Sequence, residues 1–265
     1  MRIALSAAVI CLASACASDT PEPTPRAGAG PGPADSGVSA GNAQQAREIY
    51  IDSVSPSNPI VVRGRARTFE NNVQVRALDA RGGQLLGQTF TTSDGEMGHH
   101  NPFELRLFIT RDPGDYIIVQ AFEYSAKDGS ERSVVSDTVP YAVEKIRATL
   151  DFPTTDCTVT RPFVREIPKS VAMARLLTQA LVNGPTSEES AAGAAEVFPD
   201  GSRINEVTLA DGVLTVDFNE RLQNVGGSCA AQGIRSSVTR TLERLPTVRS
   251  VVITAGGSRD QALQP

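Results

Sequence analysis

Asp211 and Gly212 constrain this chain more tightly than any other pair of residues. An Asp-Gly step between two alternating apolar runs reads as a two-residue hairpin turn. Pairing outward from it sets Leu209 opposite Leu214, Val207 opposite Val216 and Asn205 opposite Phe218. Strand side chains alternate with a period of two, so these residues share one face, and that face needs a cover. Upstream, Met173, Leu176, Leu177, Ala180 and Leu181 recur at helical spacing and supply one. Ser170 is placed to cap this helix, and Asn183-Gly184-Pro185 to end it through a left-handed glycine and a proline. Thr186 to Glu189 fits a capping box for a short second helix, with Glu188 and Glu189 serving its N-terminus electrostatically. The stretch 170–218 is therefore a core unit, and nothing in it demands chemistry.

The same reading extends to both sides. Arg147 to Phe152 and Val159 to Ile167 read as strands. Ser228 is placed to cap a second long helix carrying Ile234, Val238, Leu242 and Leu245, which Pro246 terminates, and Val248 to Thr254 reads as a last buried strand. Two main helices on one face of a small mixed sheet make an α+β domain over residues 144–265. Ahead of it, residues 47–143 are all-β. Short runs such as Ile60-Val61-Val62, Val73/Val75/Ala77, Phe103/Leu105/Leu107 and Ile117/Val119/Ala121 alternate with turn clusters, among them Lys127-Asp128-Gly129-Ser130. About seven such strands in under about 100 residues predict an immunoglobulin-like sandwich. The Cys…Trp…Cys signature of antibody domains is absent, so packing alone must hold its core. The expected fold is thus two domains, an all-β immunoglobulin-like sandwich followed by an α+β domain.

Residues 1–15 read as a signal peptide: Arg2 provides a minimal positive region, and an apolar stretch too short for a mature membrane span follows. The sequence Leu12-Ala13-Ser14-Ala15-Cys16 resembles a bacterial lipobox, with Ala13 where Leu is usual, and makes Cys16 the expected lipidated residue. Cleavage after Ala15 by an ordinary signal peptidase, giving a soluble secreted protein, is the alternative. Residues 17–46 are rich in Pro, Gly, Ala and Ser and hold almost no large apolar side chain. Such a segment cannot bury enough surface to offset its ordering entropy, and it reads as a disordered tether with a reach of roughly 30 Å.

Charge and cysteine usage narrow the function. The net charge is −5 and basic residues do not cluster, which argues against a nucleic-acid partner. With no Trp and 5% aromatic residues, a carbohydrate-binding platform is disfavoured. Cys11 leaves with the signal and Cys16 is used by lipid, so Cys157 and Cys229 remain as an even pair in an exported chain, the expected disulfide. It closes a loop of about seventy residues and contributes on the order of 4 kcal/mol in the chain-entropy model.

Candidate sites are few. His99 and His100, the two histidines, are adjacent, and only Glu96 and Glu104 lie at ligand spacing, so neither a metal site nor a Ser-His-Asp centre is expected. Glu206 and Asp217 face each other across the hairpin. Like charges so placed are mildly unfavourable, and a cation or basic partner would relieve them. Gly226-Gly227-Ser228 opens a helix and reads as a cap rather than an anion site. No cofactor is expected.

GPTSEE, FPDGSRINEV, LADGVLTVDF, GGSC and TLERLPTVRSVVI, in this order, resemble the GerMN domain of bacterial sporulation and germination lipoproteins. RGRARTFENNVQVRALDARG, NPFELRL and AFEYSAKDGSE resemble the immunoglobulin-like domain found beside it. The resemblance spans roughly residues 48–265. It implies a lipid-anchored protein of the bacterial cell envelope with no known catalytic residues, working by protein–protein assembly with envelope partners or by weak self-association. Two other functions remain open: a cell-wall-acting hydrolase, which needs a cleft with convergent carboxylates, and an extracytoplasmic binding protein for a small or saccharide ligand. Assembly instead predicts an exposed apolar patch or a free strand edge.

Overall fold

Seven strands build the first half of the folded region. The computed structural model describes residues 47–264 apart from 82, 156–158, 224 and 260. Strands β1 (Ile49–Ser55), β2 (Ile60–Ala66) and β5 (Asn101–Leu107) form one antiparallel sheet in the order β1-β2-β5. Strands β3 (Asn72–Asp79), β4 (Leu85–Thr92), β6 (Tyr116–Tyr124) and β7 (Glu131–Pro140) form a second, in the order β4-β3-β6-β7. Alternation decides which side chains meet between them. Val73, Val75 and Ala77 of β3, Phe103, Leu105 and Leu107 of β5, and Ile117, Val119 and Ala121 of β6 all enter one core. The residues in between face outward, so the period-two pattern in the sequence becomes the two faces of each sheet. The Lys127–Ser130 turn joins β6 to β7, with Gly129 in the left-handed region at φ 72°.

The second half holds five strands and two main helices. Strands β8 (Lys145–Pro153) and β9 (Thr160–Pro168) pair with each other and, among the described residues, with no other strand. Helix α1 (Met173–Val182) and the single-turn α2 (Ser187–Ala191) follow. Strands β10 (Ile204–Ala210) and β11 (Val213–Phe218) form the Asp-Gly hairpin. Helix α3 (Ser228–Leu242) then crosses over, so that β12 (Ser250–Ala255) lies parallel to β11. The sheet β10-β11-β12 is therefore mixed, as the sequence predicts, but β8 and β9 stand apart from it as a separate ladder. Both helices touch both ladders, α1 at β8 and β10, and α3 at β8 and β12. One hydrophobic core results, with Leu176, Leu181, Leu214, Val216, Ile234 and Val238 fully or almost fully buried. Among the described residues no helix is long and apolar enough to cross a membrane.

Several local expectations shift by a residue or two. Leu209 faces Leu214 and Val207 faces Val216 as expected, but Phe218 pairs with Ile204 because the register slips between Ile204 and Glu206. Asn205 is the extra residue of this bulge, and its side-chain amide donates to the Phe218 carbonyl at 3.0 Å. Ser170 does not cap α1 directly. Its hydroxyl accepts the N–H of Ala172, the residue in the cap position, at 3.1 Å. Ser228 lies inside α3, and Gly227 occupies the cap at φ 91°. Gly184 ends α1 in the left-handed region at φ 76°, and Thr186 with Glu189 forms the expected capping box.

The two cores meet within one compact unit. Leu107 and Ile109 point into the first core, whereas Phe108 between them packs into the second. Asn58 bridges the junction: its amide nitrogen donates to Ile109 O at 3.1 Å and Pro168 O at 2.7 Å, and its oxygen accepts from Ile109 N at 3.0 Å. Asn183 donates to the Thr110 hydroxyl, and Lys145 pairs with Asp112 at 2.7 Å.

Candidate interaction surface

The hairpin positions the most distinctive surface of the second half. Near its base, Val216 and Phe218 are fully buried under α1 and α3. Toward its tip the helices no longer reach. Leu209 keeps 47% of its surface exposed, Val213 is partly exposed, and Val171 just ahead of α1 is fully exposed. Leu209 and Val171, together with Met173, Leu245 and Leu214, frame a mostly apolar groove of about 330 Å³. Strand β10 is also an outer strand of its sheet, so its far edge pairs with no strand among the described residues.

Glu206 and Asp217 do sit opposite each other, but their environments differ. Asp217 Oδ1 accepts from the Thr254 hydroxyl at 2.6 Å and from Gly257 N at 2.9 Å, and Oδ2 accepts from the Asn205 amide at 2.9 Å. Partial burial raises its pKa, and these three donors outweigh that effect, leaving the carboxyl below its ordinary range. Its oxygens are thus engaged in tying β11 to the bulge and to the end of β12. Glu206 is exposed, and its charge reaches Arg175, whose guanidinium donates to Ile204 O and Asn205 O.

The remaining expected site residues are dispersed. His100 Nε2 lies 2.9 Å from Arg47 O and its ring packs edge-on against Tyr50, while His99 is exposed. Among the described residues no three of His, Cys, Asp and Glu are grouped to hold a metal. Cys229 is exposed in the first turn of α3, and Cys157 and Cys16 lie outside the described residues.

Sequence reasoning missed a buried ionic cluster beside the domain junction. Arg165 on β9 and Glu189 on α2 form a two-pronged ion pair, their side chains only 6% and 10% exposed, with Arg165 Nε 3.1 Å from Glu189 Oε1. Arg165 also donates to Thr110 O and Gly184 O. Burial pushes the Glu189 carboxyl up, but Arg165 and the Thr186 amide more than reverse this and hold it below the usual carboxylate range. Arg111 lies close by, with a buried Nε that has no hydrogen-bond partner among the described residues. Burial and the like charge of Arg165 both lower its pKa. The available signal was Arg165 itself, sharing the inward face of β9 with Phe163 and Ile167.

Comparison with known proteins places these elements. A family model described as "Germane: Sporulation and spore germination" matches residues 124–261, and one described as "Immunoglobulin-like domain of bacterial spore germination" matches residues 51–130. No curated protein matches the chain. Among solved structures, it is similar to the first GerMN domain of the sporulation protein GerM from Bacillus subtilis. The identity there is 25% and the TM-score 0.37, over 43% of this chain and 85% of that one. It is also similar to the tandem GerMN domains of the same protein, at 19% identity and TM-score 0.37, over 43% of this chain and 40% of that one. Because the first family model covers more than half of its length, the chain belongs to the Germane family of sporulation and spore germination, with a germination-type immunoglobulin-like domain ahead of it.

Proposed function

We propose that this protein is a cell-envelope assembly module with a sporulation- or germination-associated role. In this reading it is held to a bacterial membrane by lipid on Cys16, spaced from it by the tether of residues 17–46, and has no catalytic activity of its own. The two germination-type domains support the association with that process. The observation that carries the assembly reading is the apolar groove at the hairpin tip beside the unpaired edge of β10. An apolar surface framed by a strand edge suits a partner protein, which would bury Leu209 and Val171 and add a strand or helix against them. The Cys157–Cys229 disulfide belongs to the same proposal. Gly233, one turn along α3 from Cys229, packs where an added Cβ would lie 3.3 Å from Pro153, four residues ahead of Cys157 in sequence.

The test is site-specific crosslinking of the full chain in its own membrane, with a photoreactive residue at Leu209. A discrete protein adduct that Val171→Asp abolishes is the expected result. Turnover of peptidoglycan by the purified chain, lost on neutralising one Asp or Glu, would favour the hydrolase instead, and absence of any adduct would remove the assembly reading.

A further inference from the structure

A second concave surface, distinct from the apolar groove in chemistry, lies between the two halves of the folded region. It is a cleft of about 780 Å³ bounded on one side by β4 and the end of β5, and on the other by α1 and the start of β10. Three arginines from three elements line it: Arg106 from β5, Arg175 from α1 and Arg203 just ahead of β10. No Asp or Glu is among its lining residues, although the chain as a whole carries a net charge of −5.

These arginines also differ from others in the molecule. Arg65, Arg76 and Arg165 each hold a carboxylate in a two-pronged contact. Arg203 instead lies over the Phe90 ring at 5.0 Å and has no ion-pair partner among the described residues. Arg106 has only Glu104 at 3.9 Å, whose other oxygen is taken by Arg63 at 2.8 Å. Arg175 gives its terminal nitrogens to two backbone carbonyls; burial lowers its pKa, and the more distant Glu206 opposes that. A partly buried guanidinium has lost hydration that carbonyl contacts do not fully replace, and a bound anion would restore the balance. Amide side chains complete the wall. Gln88 donates to the Tyr124 hydroxyl and Gln179 to Asn183, so each Nε2 is engaged while each Oε1 is left to accept. Guanidinium donors beside amide acceptors suit a ligand that combines an anionic group with hydroxyls, and the volume is that of a small-molecule site.

We propose that this cleft binds a sugar or polyol bearing a carboxylate or phosphate, with the anion held by Arg106, Arg175 and Arg203 and the hydroxyls by Gln88 and Gln179. The cleft adjoins the groove at Val171, Ala172 and Arg175, but Arg106 and Arg203 line the cleft alone and Leu209 the groove alone, so variants at these residues decide the two readings independently. Titration calorimetry of the full chain at low salt tests it, with a glucuronate oligomer as the carboxylate probe and a glycerol phosphate oligomer as the phosphate probe. A neutral disaccharide and an oligoglutamate peptide serve as comparisons. Saturable binding of at least one anionic polyol is expected, weakened about tenfold or more by Arg106→Gln with Arg203→Gln and weakened by salt. Which of the two probes binds tells carboxylate from phosphate as the natural source. A separate measurement needs no variant: the bound probe should protect Arg106 and Arg203 from phenylglyoxal, read by mass spectrometry. Tighter binding of oligoglutamate than of either polyol, equal binding of the neutral sugar, or no saturable binding and no protection would overturn the proposal.

Discussion

Glu189 carries two tasks that usually fall to different residues. It closes the capping box of α2 with Thr186, and it neutralises Arg165 in a place water scarcely reaches. Removing one partner of a buried pair leaves the other charge without compensation, which costs about 3–5 kcal/mol. Glu189→Gln should therefore lower the unfolding free energy by roughly that amount, with Arg165 then facing Arg111 without a carboxylate between them. Denaturant midpoints of the two proteins at neutral pH measure it. The pH dependence has a definite sign. Because the folded carboxyl titrates below its ordinary range, the unfolded chain takes up the proton first as pH falls. The stabilisation is complete above the ordinary carboxylate pKa and disappears as pH drops through the folded value. The stability difference between the native protein and Glu189→Gln should accordingly shrink below about pH 4. A constant difference from neutral to acid pH would rule this account out. The capping box was legible because Thr186 and Glu189 are three apart in sequence. The ion pair was not, because Arg165 and Glu189 belong to elements whose contact only the tertiary fold creates.

The hairpin shows how far pattern carries an element and where it stops. Alternation and the Asp-Gly turn place Leu209, Leu214, Val207 and Val216 in correct register. They do not reveal the bulge, since an extra residue leaves no trace in composition. What makes the bulge tolerable is Asn205, which turns its amide toward Asp217 and Phe218 O. Asp217→Asn keeps the shape but replaces a charged acceptor that serves three donors. We expect a loss of about 1–3 kcal/mol, read as a lowered melting temperature, and Asp217→Ala should cost more. A melt unchanged by either substitution would show that these bonds contribute nothing net. Helix α3 is constrained differently. An added Cβ at Gly233 would lie 3.3 Å from both Pro153 and Val197, so this small residue sets how closely the helix approaches β8. Gly233→Val should destabilise by about 1–3 kcal/mol through overpacking, although glycine is ordinarily a poor helix former. Val171→Asp, by contrast, lies on a fully exposed residue and should change stability by less than about 0.5 kcal/mol while removing the proposed partner contact. Its cost is measured in crosslinking, not in melting.

At the scale of the whole molecule the two halves are joined by polar bonds as well as by packing. Asn58 supplies three buried hydrogen bonds across or beside the junction. Asn58→Ala leaves Pro168 O and Ile109 N without this partner, and about 2–3 kcal/mol of coupling should be lost. Calorimetry should then resolve one cooperative transition into two, and a single unchanged transition would show that Asn58 does not couple the halves. The division into a β-sandwich and an α+β part could be read from strand spacing and helical periodicity alone. The junction could not, because it depends on Asn58, Thr110 and Asn183, polar residues with no periodic pattern to mark them. Leu107 and Phe108 are adjacent, yet they anchor in different cores. A single peptide unit thus acts as a torsion bar between the halves. Twisting one half against the other must either strain that unit or pull a large side chain from its socket. A pull applied at the start of β1 would enter the sandwich and pass directly into the helical half, with little slack to absorb it.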